Sequence, residues 1–405
     1  MKVMNKNKVL KLMVVSRSAF APPKIGGAAR YSISFAVQIA DKYQDSVEIS
    51  FVGQHEPISK NSKIKFYKIK NNFNLETNSM IKYFIRAFFQ DLIISIKAVQ
   101  ILWKNKYDFV VFNSNISCIL AKLFTKNKAK FFYVCHDTPS IPKIKNNSIL
   151  NFIVRFLNNY LLEMIAISLS DRVIAVSPTV KYYIKKLFKR ESFLLFPYPS
   201  ILNWGYINKD IYRISLEEQI LKKYNLTENE YIISVGDQNK RKKFDNLIKS
   251  FFHLKDKNLK LVLVGNGPDH SNLISLTEAL KLKDKVLFLT DLNNEDLITL
   301  YKKAKLTVLV SISEGFPTVI VESLSLGTPV ALFLKNVGEE LLHFNSEYLR
   351  IFTNIDENYI AQELNKLIDN KYDMVKRNNI KKFANETFNV DNFAEKAMSI
   401  LNLNS

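Results

Sequence analysis

Two glutamates lie eight residues apart in the stretch Glu314-Gly-Phe-Pro-Thr-Val-Ile-Val-Glu322. The apolar run Leu306–Val310 before it predicts a strand, and the residues after it predict a helix over Val319–Leu326. Pro317 lies where the first helical turn would begin, a position that proline favours. Glu314 would then lie in the loop at the carboxyl end of the strand, and Glu322 about one and a half turns into the helix.

Carboxylates in this position are suited to bind hydroxyl groups, and the unpaired N–H groups of a helix start are suited to bind phosphates. The pattern therefore indicates a ligand that carries both hydroxyls and phosphates. The pair of glutamates alone leaves one alternative open, a capped helix with two solvated carboxylates.

Four consecutive cations, Lys240 to Lys243, follow a second predicted strand, Tyr231–Val235. Adjacent cations repel one another unless an anion joins them, so this loop favours a diphosphate, with a helix N-terminus behind it. A solvated loop is the alternative. The turn Gly265-Asn-Gly-Pro268 closes the next predicted strand, although a Gly-x-Gly pattern by itself is weak evidence of a nucleotide site.

The elements that must position these residues are short apolar runs that alternate with longer helix-like stretches. Most runs are continuous, which is typical of parallel strands that helices cover on both faces. The expected strands are Val9–Ser16, Val47–Val52, Phe109–Phe112, Lys130–Cys135, Arg172–Val176, Tyr231–Val235, Lys260–Val264, Lys285–Leu289, Leu306–Val310 and Pro329–Leu334. We predict an α/β protein with two doubly wound, Rossmann-like domains, divided where Pro and Gly cluster between Phe196 and Gly205.

The chain has 405 residues and a formal charge of +20, and 47% of its residues are apolar, which excludes a disordered tail. Residues 1–200 hold 31 Lys and Arg against 11 Asp and Glu, whereas residues 201–405 hold 27 of each. The first half should therefore meet an acidic partner: a membrane surface, a phosphorylated ligand or a nucleic acid. Two cysteines, Cys118 and Cys135, suit a reducing compartment and exclude a disulfide framework.

The segment Met80–Lys104 is apolar but carries a basic stripe. On one helix, or on a pair of helices, Lys82, Arg86, Lys97 and Lys104 fall within an arc of about 60°, with Gln90 and Gln100 beside them and Asp91 on the other side. The stripe is either the solvated face of a core helix or an element that lies on anionic lipid. No window of about 18 residues lacks charge, so we expect no membrane-spanning helix.

These motifs together resemble the retaining glycosyltransferases of family 4, which have the GT-B architecture. The resemblance covers most of the second half: residues 231–248, Lys260–Pro268, Val286–Leu289, Glu295–Ala304, the two-glutamate motif and Gly327-Thr-Pro-Val330. The first half is similar at Ile25-Gly-Gly-Ala-Ala-Arg30, at Cys135-His-Asp137 and at Asp171–Ser177. The resemblance implies two Rossmann-like domains that face a central cleft. They would be an acceptor-side domain, 1–200, and a donor-binding domain, 201–387, with a C-terminal helix around 388–405 that packs back on the first domain.

The resemblance also implies a role for each matching residue. Glu314 would hold hydroxyls of the donor sugar, Glu322 the ribose hydroxyls and Lys242 the diphosphate, while His136 would contact the transferred sugar. The backbone of Gly315, Phe316, Pro317 and Thr318 would lie near the sugar and phosphates, and Gly26 and Gly27 would let the backbone approach the donor. The sequence departs from the family twice. Pro197-Tyr-Pro199 replaces the usual Pro-Asn-Gly after the first domain, and Asp237 stands where an arginine usually meets the diphosphate. Either Arg241 or Lys240 takes that role, or the donor is held differently, or activity is impaired.

The expected reaction is sugar transfer from a nucleotide-diphosphate donor to a lipid-linked or saccharide acceptor, with retained anomeric configuration and without a metal or other cofactor. An Asp-x-Asp motif is absent from the sequence, in agreement with that expectation. The family context implies a bacterial enzyme of surface polysaccharide synthesis, in the cytoplasm and held peripherally on the inner face of the cell membrane by residues 1–200. Two alternatives stay open: another GT-B reaction, such as that of a nucleotide-sugar epimerase or a phosphorylase, and a nucleic-acid-binding protein, which no recognised motif supports.

Overall fold

The computed structural model of the protein describes residues 9–16, 27–57, 64–70, 80–137, 156–199, 210–312, 314, 316–334, 344–370 and 372–402. The chain divides into two compact units, Met1–Asn203 together with Asp391–Ser405, and Trp204–Val390. The domains expected from the sequence were 1–200 and 201–387. Each unit is built around its own sheet, and each is described by itself below.

The first unit contains a seven-stranded sheet in the order β3-β2-β1-β4-β5-β6-β7, in which every strand pair is parallel. The strands are β1 (Leu10–Val15), β2 (Val47–Gly53), β3 (Lys65–Lys68), β4 (Phe109–Phe112), β5 (Lys130–Cys135), β6 (Arg172–Ala175) and β7 (Phe193–Leu194). The helices are α1 (Gly27–Lys42), α2 (Met80–Lys104), α3 (Asn115–Phe124), a π-helical segment (Leu157–Leu162), α4 (Glu163–Leu169), α5 (Pro178–Phe188) and α13 (Phe393–Asn402).

The second unit contains a six-stranded, all-parallel sheet in the order β10-β9-β8-β11-β12-β13. Its strands are β8 (Tyr231–Val235), β9 (Lys260–Val264), β10 (Val286–Leu289), β11 (Leu306–Ser311), β12 (Val330–Leu334) and β13 (Leu349–Phe352). Its helices are α6 (Asp210–Lys223), α7 (Phe244–Phe252), α8 (His270–Ala279), α9 (Asn294–Lys303), α10 (Thr318–Ser325), α11 (Glu357–Ile368) and α12 (Met374–Phe388).

The predicted α/β class with two parallel, Rossmann-like sheets is confirmed. All ten expected strands form, with ends that differ by a residue at most, because continuous apolar runs such as Phe109–Phe112 are buried along their whole length. Three further strands were missed. β3 has an exposed lysine at each end and β13 contains an arginine, whereas β7 is apolar but has only two residues.

The C-terminal helix α13 packs within the first unit, against α1. The ring of Phe393 makes an edge contact with Phe35 at 6.2 Å between centroids, and Glu395 Oε1 lies 2.6 Å from Lys42 Nζ. The apolar contact is buried, whereas the ion pair is about half exposed and contributes little. The chain thus leaves the first unit near residue 203 and returns to it at Asp391.

The segment Met80–Lys104 forms one helix, α2, of 25 residues. Lys97, Gln100 and Lys104 are exposed and Asp91 is buried, as the helical pattern predicts, but the placement of Gln90 on the basic stripe was wrong. Gln90 is fully buried, and its amide donates a hydrogen bond to the carbonyl of Lys70, after β3. The side chain of Lys82 lies outside the described residues.

Two loops touch at the carboxyl edge of the second sheet, after β8 and β9. Gly265, with φ of +125°, packs so closely on the loop after β8 that an added Cβ would lie 2.2 Å from the carbonyl oxygen of Gly236. A side chain at this position is excluded both by this contact and by the left-handed backbone. The close approach fixes the start of the basic loop against its neighbour.

Replacement of this glycine should destabilise the second unit. We expect Gly265→Ala to lower the free energy of unfolding by about 3 kcal/mol, because the new methyl group meets backbone rather than a flexible side chain. Gly27→Ala is the matched control, since no heavy atom lies within 4 Å of its added Cβ. Thermal unfolding followed by circular dichroism measures both variants, and equal midpoints would contradict the proposed contact.

Candidate active site

A cluster of three charged side chains in the second unit lies where its strand order reverses. β8 and β11 are neighbours in the sheet but are separated in sequence by two strands, so their carboxyl-end loops meet at the topological switch point. The loop after β8 supplies Lys242 and Arg241, and the loop after β11 supplies Glu314. Glu314 Oε1 lies 2.7 Å from Lys242 Nζ and 2.8 Å from Arg241 Nη1.

The Glu314 carboxylate is largely withdrawn from water. Its side chain is 11% exposed and that of Lys242 is 10% exposed, whereas Arg241 is 44% exposed. Burial by itself raises the pKa of Glu314, but the charges of Lys242 and Arg241 and the hydrogen bonds from Lys242 and Ser311 together lower this pKa below its ordinary value. The two basic side chains therefore favour the ionised form of the Glu314 carboxylate.

Backbone and hydroxyl contacts hold the two loops together. The N–H of Ile312 donates to the carbonyl of Arg241 at 3.0 Å, and the Ser311 hydroxyl is placed 2.8 Å from Glu314 Oε1. Asn239 turns the basic loop, because its carbonyl accepts from the N–H of Lys242 at 3.0 Å. These bonds fix the positions of the charged groups before any ligand binds.

The four consecutive cations do not all meet at one point. Lys242 and Arg241 converge on Glu314, Lys243 pairs with Asp245 at 3.3 Å, and the side chain of Lys240 is exposed. Lys243 is the N-cap of α7 and has a left-handed φ of 51°. Asp237 is exposed on the same loop.

Helix α10 begins at Thr318, and Pro317 is its N-cap, so the placement of Pro317 within the first helical turn was wrong by one residue. Phe316 is buried, with its ring 5.8 Å from that of Phe388, which leaves its backbone as the part that a ligand could reach. Glu322 lies in the second turn of α10 and is 1% exposed. Gly315 lies outside the described residues.

The remaining predicted site residues belong to the first unit. Gly27 is the first residue of α1, which follows β1, and Gly26 lies outside the described residues. His136 follows β5 at the carboxyl edge of the sheet, with Nε2 2.8 Å from Asn113 Oδ1. The ring of Tyr31, on α1, makes an edge contact with the imidazole at 5.1 Å between centroids.

Sequence reasoning missed two polar residues of these edges, Ser311 and Asn113. Ser311 is the last residue of β11 and Asn113 follows β4 directly, and a polar residue at the carboxyl end of a buried strand is the signal that could have found them. Among the described residues, no group of three or more His, Cys, Asp or Glu is arranged to hold a metal ion. The polar groups at the carboxyl edges of the two sheets are suited to bind hydroxyls and anions.

The second unit matches the family model "Glycosyl transferases group 1" over residues 217–387. A Haemophilus influenzae protein described as an uncharacterized glycosyltransferase is 24% identical over 380 residues, 93% of this chain and 96% of the relative. A Campylobacter jejuni N-acetylgalactosamine-N,N'-diacetylbacillosaminyl-diphospho-undecaprenol 4-alpha-N-acetylgalactosaminyltransferase is 28% identical over 267 residues, 65% of this chain and 67% of the relative.

Solved structures show the same fold over nearly the whole chain. The lipopolysaccharide biosynthesis glycosyltransferase WaaG aligns with a TM-score of 0.66 and 15% identity over 98% of this chain and 100% of its own. Anabaena HepE in complex with UDP-glucose aligns with a TM-score of 0.68 and 16% identity over 97% and 99%. At this identity the likeness is one of fold, and this chain has two α/β units, each built on a parallel sheet.

The ion pair between Lys242 and Glu314 should matter for stability. Lys242→Met leaves a largely buried carboxylate with one cation, and we expect a loss of about 2 kcal/mol in the free energy of unfolding. Lys242→Met combined with Glu314→Gln should recover most of this loss, and Arg241→Ala should cost less than about 1 kcal/mol because Arg241 is exposed. Urea unfolding measures the free energy of unfolding of the wild type and of the three variants. An equal loss in Lys242→Met and in the double variant would contradict the pairing.

The same pair predicts a pH dependence of known sign. Because the pKa of Glu314 is lower in the folded protein than its ordinary value of 4.5, the pair's contribution is present above pH 4.5 and is lost as the pH falls below it. The stability of the wild type minus that of the double variant, which has no carboxylate at this position, should therefore decrease on acidification. A difference that stays constant from pH 7 to about pH 3 would show that Glu314 does not titrate in this way.

Proposed function

Because the chain is a group 1 glycosyltransferase with the GT-B fold, we propose that it moves a sugar from a nucleoside diphosphate donor to a lipid-linked or saccharide acceptor. We assign it to the retaining enzymes of family 4, in the synthesis of a bacterial surface polysaccharide. The observation that carries the proposal is the charged cluster of Glu314, Lys242 and Arg241 at the switch point of the second unit.

The leaving group of this reaction is a nucleoside diphosphate, and the enzyme must stabilise its developing negative charge. Lys242 and Arg241 can do so from fixed positions, together with the N–H groups at the start of α10, without a rearrangement of solvent. Arg241 takes the role that Asp237 cannot, since an acid on this loop repels phosphate. No enzyme nucleophile is assigned; the departing phosphate helps to accept the proton of the acceptor.

A bound diphosphate and the Glu314 carboxylate would compete for the same two cations. Donor binding would therefore exchange one anion for another on Lys242 and Arg241 and release the carboxylate of Glu314 to accept hydrogen bonds from hydroxyls of the donor sugar. Glu322, on the next turn of α10, would bind the ribose hydroxyls. The first unit would supply Gly26, Gly27 and His136 and would receive the acceptor.

The comparisons support both substrate classes. HepE was solved with UDP-glucose, a nucleotide-diphosphate sugar, and the name of the Campylobacter jejuni relative describes an acceptor joined to undecaprenol through a diphosphate. Another relative, 27% identical over 257 residues, is an O-antigen chain mannosyltransferase of Salmonella typhimurium. These names favour sugar transfer in surface polysaccharide synthesis over an epimerase or a nucleic-acid-binding protein.

Donor turnover by the purified enzyme tests the site. Against a panel of nucleotide sugars, Glu314→Ala and Lys242→Ala should each lose at least about 100-fold in turnover while keeping their circular dichroism spectra. Lys283→Ala, an exposed lysine of the same unit, is the control and should retain full activity. Full activity in both site variants would reject the assignment.

If the diphosphate and Glu314 compete for the same cations, one substitution should strengthen diphosphate binding while it abolishes turnover. Glu314→Gln removes the competing carboxylate, so it should bind nucleoside diphosphates without a sugar about three- to tenfold more tightly, although it fails to turn over the donor. Isothermal titration with uridine, guanosine and adenosine diphosphates measures this effect. Weaker binding of all three by Glu314→Gln would contradict the exchange.

We further propose that the first unit binds the anionic inner face of the cell membrane. Six of its exposed apolar residues lie on one side of α2 and at the end of α3: Ile85, Phe89, Ile96, Trp103, Leu123 and Phe124, of which Trp103 is 65% exposed. Trp103 Nε1 donates to the carbonyl of Phe124 at 2.8 Å, which joins the two helix ends, and Lys97 and Lys104 flank the apolar side chains. Apolar side chains bordered by lysines suit the interface of an anionic bilayer. Among the described residues, no helix is long and apolar enough to cross a membrane.

Vesicle flotation tests this surface. The wild type should float with phosphatidylcholine vesicles that contain phosphatidylglycerol, and it should remain in the bottom fraction when the vesicles contain phosphatidylcholine alone. Lys97→Glu with Lys104→Glu, and Trp103→Ser, should each reduce flotation several-fold. Lys257→Glu with Lys283→Glu changes the net charge equally on exposed lysines of the second unit and should have no effect. Equal flotation by both charge-reversed proteins would reject the surface.

A further inference from the structure

Asn113 links three strands at the carboxyl edge of the first sheet. It follows β4 directly, lies between the ends of β1 and β5, and is 1% exposed. Its backbone N–H donates to the carbonyl of Val15, the last residue of β1, at 3.0 Å. Its side chain contacts both this carbonyl and the imidazole of His136, which follows β5.

The direction of the hydrogen bond to the imidazole follows from the chemistry of the groups. Asn113 Nδ2 lies 3.3 Å from the carbonyl oxygen of Val15, which can only accept, so the amide must turn its NH₂ group to β1. Asn113 Oδ1 therefore faces His136, 2.8 Å from Nε2. An amide oxygen can only accept as well, so Nε2 must carry a hydrogen.

A neutral imidazole carries one hydrogen, and with Nε2 protonated its Nδ1 is a hydrogen-bond acceptor. The ring of Tyr31 packs edge-on against the imidazole, at 83° between the ring planes, and limits its rotation. Tyr31 is almost fully buried, so this contact is part of the packed core rather than of a mobile surface.

We propose that Asn113 is a positioning residue that holds His136 as its Nε2–H tautomer, so that the imidazole meets the transferred sugar as a hydrogen-bond acceptor at Nδ1. The site then selects a sugar hydroxyl, which can donate, over a deoxy or O-methyl group at the same place, which cannot. The inference rests on the proposed function, because that function places a sugar at His136. The tautomer itself does not depend on any substrate.

The tautomer is measured directly on the full-length protein. The chain has five histidines, so nitrogen-15 spectra of histidine-labelled protein, compared with His136→Gln, assign the His136 ring. At about pH 8, where an ordinary imidazole is neutral, Nε2 should be the protonated nitrogen in the wild type and in Asn113→Asp, which keeps an acceptor oxygen. Asn113→Leu should show a mixture of tautomers. A wild-type ring protonated at Nδ1 overturns the proposal whatever the activity.

Kinetics test the connection to the sugar. Asn113→Leu should lower kcat/KM about tenfold in the wild type and have no further effect in a His136→Ala background, because its influence passes through the imidazole. Asn127→Leu is the control: it too is a partly buried asparagine that donates to backbone carbonyls of the same unit, and it should leave kcat/KM unchanged. An equal loss in both backgrounds would overturn the positioning role.

Two outcomes separate this inference from the proposed function. Suppose that Nε2 is protonated in the wild type as expected but that His136→Ala keeps full transferase activity. The proposed contact between His136 and the sugar is then wrong, and the selection of a hydroxyl is rejected as well. If a donor with a deoxy or O-methyl group at each position in turn reacts as fast as the parent sugar, selection at Nδ1 is overturned although transfer itself stands.

Discussion

Parallel strand pairing is the constraint on which the rest of this structure depends. Every strand pair in both sheets is parallel, so each strand must be followed by a crossover, and all carboxyl ends of a sheet meet at one edge. Where the strand order reverses, two neighbouring loops diverge and leave space for polar groups. The loops after β8 and β11 bring Glu314 to Lys242 in this way, and the ends of β1, β4 and β5 bring Asn113 to His136.

The charged groups at the second edge stabilise one another in a place where each alone would be costly. Burial disfavours the charge of Glu314, and the two cations offset this penalty and lower the pKa of the carboxylate. In the proposed reaction the same cations bind a diphosphate. The fold already holds them in place, so no further free energy is needed to order them when the donor binds. A preorganised site of this kind needs no large rearrangement when the leaving group departs.

The two units differ both in net charge and in where their charged and exposed apolar side chains lie. The second half of the chain has no net charge, and two of its cations, Lys242 and Arg241, face Glu314 at the switch point. The first half carries the excess of +20 and also presents exposed apolar side chains on α2 and α3. Charge draws a protein toward an anionic surface over a Debye length, whereas apolar contact acts only at the surface itself, so the two features complement each other.

The sequence by itself determined the fold class, the ten principal strands and the loops that carry the charged residues, because continuous apolar runs and the glycines, prolines and cations between them are local signals. Local signals could not determine which side chains meet. The convergence of Arg241 and Lys242 on Glu314, the contact of Asn113 with His136 and the burial of Gln90 join residues that are 20 to 73 positions apart in the chain. Only the order of the strands and the packing of the helices decided these contacts, because the distance between two loops depends on where their strands lie in the sheet.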